Sequence, residues 1–226
     1  MNITRPLGAA LLGLAAATST QAASLTVNVT GADGKPAADA VVMVRRAGSL
    51  QAFDTREVPV VTQKDIRFSP YVTVVPPRGT VRFVNQDRFD HHLRSMPTGP
   101  MSNVPPSQDF EFRLGAARAG KTPSADLKVE TSGIIVLGCH LHGSMRAHIF
   151  VTPTPWYAVT DANGRATIEV PDGPGTLSLW HPDQFVEQPA MTVQIAGNGA
   201  LQQALNFTPR KRPAPSTAPK SEYGPQ

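Results

Sequence analysis

The chain has a single cysteine among 226 residues, and only 6% of it is aromatic. A lone cysteine cannot close a disulfide within the chain, so stabilisation by internal covalent cross-links is excluded. No apolar run reaches the ~20 residues that a membrane-spanning helix needs. No stretch repeats apolar residues at helical spacing either; the nearest, Gly115 to Lys121, is rich in Gly and Ala and reads as a loop or a single turn. The formal charge of +4 is carried at the ends. Arg5 contributes one charge, and Arg210, Lys211, Arg212 and Lys220 against Glu222 contribute the rest. The body between is near neutral and lacks the basic patch that nucleic-acid binding requires. Neither a phosphate-cradling glycine loop nor a Ser-His-Asp arrangement stands out, and no enzyme activity is expected.

What is present begins with a leader. MNITRPLGAALLGLAAATSTQA places one arginine before a short Leu, Ala and Gly run and ends in small residues, the pattern of a secretory signal peptide over residues 1 to 22, cut after Ala22. The expected location is therefore outside the cytoplasm, in the periplasm. A mature chain of roughly two hundred residues allows one large β domain or two small ones. Residues 209 to 226, PRKRPAPSTAPKSEYGPQ, have no apolar periodicity and are expected to be disordered.

Between these ends apolar residues alternate with period two: Leu25, Val27 and Val29; Val72 and Val74; Val81 and Phe83; Ile168 and Val170; Leu177 and Leu179; Leu205 and Phe207. Short alternating runs punctuated by Gly, Pro, Asn and Asp predict an all-β protein built of sandwiches. Two segments far apart in the chain look like halves of one module. LTVNVTGADGKPAADAVVMV (25 to 44) reads as strand, turn at Asp33-Gly34, strand, and WYAVTDANGRATIEVPDGPGTLSLW (156 to 180) as three strands with turns at Asn163-Gly164 and from Pro171 to Gly175. Together they resemble the carboxypeptidase-regulatory-like (transthyretin-like) sandwich. That resemblance implies a small sandwich over residues 23 to 50 and 154 to 208, with residues 60 to 153 either inserted into it or standing in tandem beside it.

The intervening segment carries the chemistry. QKDIRFSPYVTVVPPRGTVRFVNQDRFDHHLRS (63 to 95) gives two strands around a Pro-Pro-Arg-Gly turn and a polar loop with His91. LKVETSGIIVLGCHLHGSMRAHIFV (127 to 151) gives a strand, a tight loop with Cys139, His142 and Met145, and a returning strand. A free thiol in an exported protein is either an inert buried group or one that is used. Here it falls directly after an apolar strand, within three residues of an imidazole. The Asn85, Asp87, His91 run followed by C-x2-H-x2-M is similar to the plastocyanin and amicyanin branch of the cupredoxins, the short His142 to Met145 spacing to amicyanin in particular. The resemblance implies a Greek-key sandwich holding one type 1 copper ion on His91, Cys139, His142 and Met145. Two imidazoles and a thiolate with a weak thioether suit both Cu(I) and Cu(II).

The family commonly has Asn after the first His and this chain has His92, which touches ligand orientation. His140 brings an extra imidazole beside the cysteine and is expected to face solvent or the loop backbone. His148 and His181 are read as structural, a second metal between the modules being the alternative. Met96 and Met101 offer either Cu(I) thioethers or an apolar rim around His142. The resemblance implies a single-electron carrier with a dehydrogenase or cytochrome as redox partner. A copper-binding or delivery protein with a copper acceptor, and a non-redox binding module, are the alternatives. Multicopper oxidases need several His-x-His pairs, and among six histidines only His140 and His142 make one.

Overall fold

The computed structural model describes residues 22–48, 51–98 and 104–212. Its strands are β1 (Ala22–Thr30), β2 (Val41–Arg45), β3 (Val60–Lys64), β4 (Arg67–Ser69), β5 (Val72–Val75), β6 (Thr80–Asn85), β7 (His91–Met96) and β8 (Glu111–Leu114). They continue with β9 (Ser124–Lys128), β10 (Gly133–Cys139), β11 (Arg146–Val151), β12 (Trp156–Val159), β13 (Arg165–Pro171), β14 (Gly173–Trp180), β15 (Met191–Ile195) and β16 (Gly199–Ala204). Among the described residues there is no helix, and the fold is all-β. The Gly115 to Lys121 segment is a loop closed by a bridge between Arg118 and Lys121.

Four sheets stack in layers. The outermost has the order β13-β1-β16 and faces a sheet β12-β2-β14-β15; the other pair is β5-β11-β10-β7-β8 over β4-β3-β6-β9. The first two sheets enclose one core, built from the alternation seen in sequence: Leu25, Val27 and Val29 meet Ala166, Ile168, Val170 and Leu177. The second pair encloses another core of Val81, Phe83, Leu93, Ile135, Leu137 and Ile149. Each fully buried aliphatic or Phe side chain contributes about 1.5–3 kcal/mol.

Strands β1 and β2 find their partners at the far end of the chain. β1 pairs antiparallel with β13 and parallel with β16, while β2 lies between β12 and β14, so β3 to β11 intervene between two parts of one sandwich. The two turns read from sequence close this arrangement. Gly34 has φ +76° in the first turn and Gly164 φ +72° in the second, and a Cβ on Gly164 would stand 2.3 Å from the Val29 carbonyl oxygen and 3.0 Å from the Ala37 amide. Only glycine permits that approach, across which the Val29 amide donates to the Gly164 carbonyl at 2.7 Å.

A third apolar cluster joins the sandwiches: Val41, Met43, Val72, Phe150 and Trp180. It explains why β2 and β11 read as nearly unbroken apolar runs, since Val42 and Val44 point into one core while Val41 and Met43 point into this interface. In β11, Ala147, Ile149 and Val151 face the second core and Phe150 faces the interface.

Two expectations are displaced. Leu205 and Phe207 do not form the last strand; β16 is the polar run Gly199–Ala204, and Leu205 follows it into the core, its amide bonded to the Thr30 carbonyl. The first residues of the segment expected to be disordered are held: Arg210 pairs with Asp183 at 2.8 Å, and Arg212 pairs with Asp39 and lies 3.6 Å over the Tyr71 ring. Charge pairing and cation–π contact supply there what apolar periodicity does not. The proposed leader up to residue 21, Met101 and residues 213 to 226 lie outside the described residues.

Candidate metal centre

The centre forms at one end of the second core, where β7 begins and β10 ends. Strand alternation sends His91, Leu93 and Ser95 of β7 inward and His92, Arg94 and Met96 outward. On β10, Ile135, Leu137 and Cys139 point inward. Cys139 opposes Leu93 in the antiparallel ladder, which brings its sulfur beside the His91 ring. The chain then turns through residues 140 to 145, and the Met145 amide donates to the His142 carbonyl at 3.0 Å, folding His142 back over the cysteine.

The result is a convergence of three donors. Cys139 Sγ lies 3.7 Å from His91 Nδ1 and 3.6 Å from His142 Nδ1, and the three atoms fall within 4.8 Å of one another. A single S–H could serve only one of the two nitrogens. A shared cation serves all three: metal–nitrogen bonds of about 2.1 Å and metal–sulfur bonds of about 2.3 Å, meeting at tetrahedral to trigonal angles, place N and S about 3.6–3.8 Å apart. Among the described residues this is the group of three His, Cys or acidic side chains close enough to hold a metal. Met145 is 1% exposed and shares the apolar cluster that contains Cys139.

His91 is held from behind by an acidic side chain. His91 is fully buried, and its Nε2 lies 2.8 Å from Asp87 Oδ2. When Nε2 carries the proton it donates to the Asp87 carboxylate, and the Nδ1 lone pair is then directed toward the sulfur. Burial pushes His91 below the ordinary histidine range, opposed by the hydrogen bond and charge of Asp87. Asp87 is itself fixed by the amides of Asp65 at 2.7 Å and Ile66 at 3.3 Å. Asn85 shapes the loop by donating to the carbonyls of Phe89 and Gly115, both at 2.8 Å, and accepting from the Asp87 amide at 2.8 Å. The sequence placed Asn85 and Asp87 in the motif without assigning what they do. A carboxylate four residues before a ligand histidine is the signal that was available for Asp87.

His142 is half-buried, and the ring of Phe89 stands 5.2 Å from it and 5.3 Å from His91, centre to centre. Phe89 and Leu141, 37% and 50% exposed, make an apolar border at this edge that sequence reasoning missed. On the Met145 side a cleft of about 630 Å³ is lined by Lys64, Arg67, Ser144, Arg146 and Arg212 among others.

The remaining candidates lie elsewhere. Met96 is on the outer face of β7 against Gly138, where a Cβ would meet its Sδ at 2.9 Å, so it does not border His142. His92 faces outward too, its Nε2 2.9 Å from Glu111 Oε1. Its carbonyl accepts from the His140 amide at 2.8 Å, a backbone tie between the two ligand segments, and His140 is exposed. His148 is buried in the interface between the rings of Tyr71 and Trp180, with its Nδ1 unpartnered, and burial pushes it down to about 4. His181 donates from Nε2 to the Ala38 carbonyl at 3.1 Å and accepts the Asp183 amide on Nδ1 at 3.0 Å, so both its nitrogens are committed to backbone.

No family model and no curated protein matches the chain. Solved structures do. A copper-containing nitrite reductase (NirK) from Thermus scotoductus SA-01 is 22% identical over 49% of this chain and 25% of its own, with a TM-score of 0.36. A reduced Cu(I) form of an amicyanin variant is 16% identical over 49% of this chain and 98% of its own, with a TM-score of 0.34. A purple cupredoxin from Nitrosopumilus maritimus is 16% identical over 42% of this chain and 99% of its own, with a TM-score of 0.35. This chain thus spans a quarter of the nitrite reductase, and the three matches each take in less than half of it.

Proposed function

We propose that this is an exported single-electron carrier with one type 1 copper ion that His91 Nδ1, Cys139 Sγ, His142 Nδ1 and Met145 would hold. The observation that carries the reading is the approach of two imidazole nitrogens to one buried sulfur at 3.6 and 3.7 Å. Soft thiolate and imidazole together suit an ion that alternates between Cu(I) and Cu(II), and the ion supplies the one-electron couple when bound.

The chain's own residues do the rest. Asp87 orients His91, the Val81, Phe83 and Leu137 core holds the donors rigid and dry, and His142 gives the site its edge toward solvent. Phe89 and Leu141 offer apolar surface at that edge to a redox partner, for which a dehydrogenase or cytochrome is the proposed class. The divided sandwich is proposed as a carboxypeptidase-regulatory-like module, and the place of work as the periplasm.

The test is the visible spectrum and voltammogram of the copper-loaded mature protein beside a Cys139→Ser variant. An intense blue band and a reversible one-electron couple, both lost in the variant, are expected. A colourless, copper-replete, oxidised wild type would overturn the reading in favour of copper delivery or a binding module.

A further inference from the structure

The cleft beside Met145 draws its walls from three separate parts of the chain. Lys64 and Arg67 come from the hairpin of β3 and β4, Arg146 from the first position of β11, and Arg212 from the last described residue. Four cations thus border about 630 Å³ of space, against one carboxylate, that of Asp65. The excess is not relieved from within. Lys64 and Arg67 are direct register partners, a placement in which like charges cost stability. Among the described residues neither Lys64 nor Arg146 makes an ion pair.

The hairpin is pinned in this arrangement. Asp65 and Ile66, the two residues of its turn, have φ +52° and +57°, and their amides donate to the Asp87 carboxylate at 2.7 and 3.3 Å. A β-branched residue in the left-handed region is strained, so the bonds to Asp87 hold the turn where its own preference would not. Arg212 is fixed in a different way. Its guanidinium lies 3.6 Å over the Tyr71 ring and donates to Asp39 through Nη2, which leaves further N–H donors of its fork. Ile66 and Tyr71 are half-buried and give the cleft apolar lining, while the buried Phe68 and Met145 close it on the side of the second core.

We infer that this cleft binds a small organic anion, a carboxylate carried on an apolar body. A space of about 630 Å³ falls within the roughly 300–1,000 Å³ of small-molecule sites. Guanidinium forks match the two oxygens of a carboxylate, and a lysine adds a point charge. The apolar lining favours an organic body over a bare inorganic anion, because burying both surfaces releases water. Binding uses Lys64, Arg67, Arg146 and Arg212 and none of the donors His91, Cys139 and His142, so it stands independently of the copper reading.

Fluorescence titration of the full chain with naphthoate, without added metal, tests the inference. Two controls separate charge from body: naphthamide, a neutral analogue of the same shape, and acetate, the same charge without the rings. Naphthoate should saturate at least about tenfold more tightly than either, since one charge-assisted hydrogen bond accounts for a factor of that order. A Lys64→Gln, Arg146→Gln double variant should weaken naphthoate at least about tenfold and leave naphthamide unchanged. Both side chains are exposed, and removing Lys64 relieves its repulsion with Arg67, so the urea midpoint should hold or rise. No saturation by naphthoate, an equal affinity for naphthamide or for acetate, or wild-type affinity in the folded double variant overturns the anion site.

Discussion

The two sandwiches are similar in layering and differ in what they bury. In the divided one the buried polar groups serve the backbone: the Thr160 hydroxyl donates to the Ala37 carbonyl and accepts the Ala40 amide, and the Thr154 hydroxyl donates to the Val44 carbonyl. In the one that carries Cys139, Asn85, Asp87 and His91 form a chain in which each buried side chain orients the next. A buried polar group costs stability unless it is satisfied. One module spends its satisfied groups on closing loops, while the other uses them to hold a lone pair in a fixed direction. The difference shows that the same all-β pattern supports a scaffold or a site according to where hydrogen bonds end.

The largest effect should come from forcing the divided module apart. Gly164→Ala puts a Cβ on the Val29 carbonyl at a positive φ, with an expected loss of about 3–5 kcal/mol in chemical denaturation. Cys139 belongs to the other sandwich's core, so at temperatures below the new midpoint the visible band proposed for the copper form should keep its position. Next comes the seam. Trp180→Ala removes the largest ring from the interface cluster and should lower stability by about 3 kcal/mol. Calorimetry should then resolve two transitions where the wild type gives one; a single transition at the old midpoint would mean the cluster does not couple the modules.

On the metal-bearing side, Asp87→Asn keeps the size of the side chain and removes its charge. Metal affinity should fall by up to about 100-fold, with the site still assembled, since a hydrogen-bonded carboxylate raises the basicity of the imidazole it holds. Titration of the two proteins against a competing chelator measures this. The smallest effect is the pH response of the seam. His148 is held near 4, below the ordinary value of 6.5, so it is neutral in the folded protein and readily charged in the unfolded one. Its contribution is complete above about pH 6.5 and is lost as the pH falls toward 4, amounting to roughly 2 kcal/mol between pH 8 and pH 5. Asp183 opposes the downward shift, and His181, Arg146 and Arg210 add to it. His148→Phe should flatten that part of the stability profile, as urea midpoints across the range would reveal.

The β class and the ligand loop could be read from sequence because both are local signals. Cys139, His142 and Met145 sit on one short turn, and period-two alternation marks strands whose second face meets solvent. The signal failed where position in the fold decided the outcome. β16 is polar and lies parallel to β1, a pairing that no local pattern announces. β2 and β11 are apolar on both faces because a second sheet covers each, and a run without alternation does not say which. Phe89 looked like a residue of a polar loop until the His142 ring was folded against it. Asp87 has its role because the β3–β4 turn brings the Asp65 and Ile66 amides to it, a contact spanning about twenty residues.

Because β1 and β2 pair only with strands from the other end of the chain, their assembly has a direction in time. When the chain is made from its first residue onward, these two strands appear early and wait, edges open, until everything through β11 has been produced. The sandwich built from β3 to β11 can fold in the interval, between the waiting strands and the late ones. The segment synthesised first is thus the last to be completed, and crowding by other nascent chains during that wait is where strand-to-strand mispairing would start.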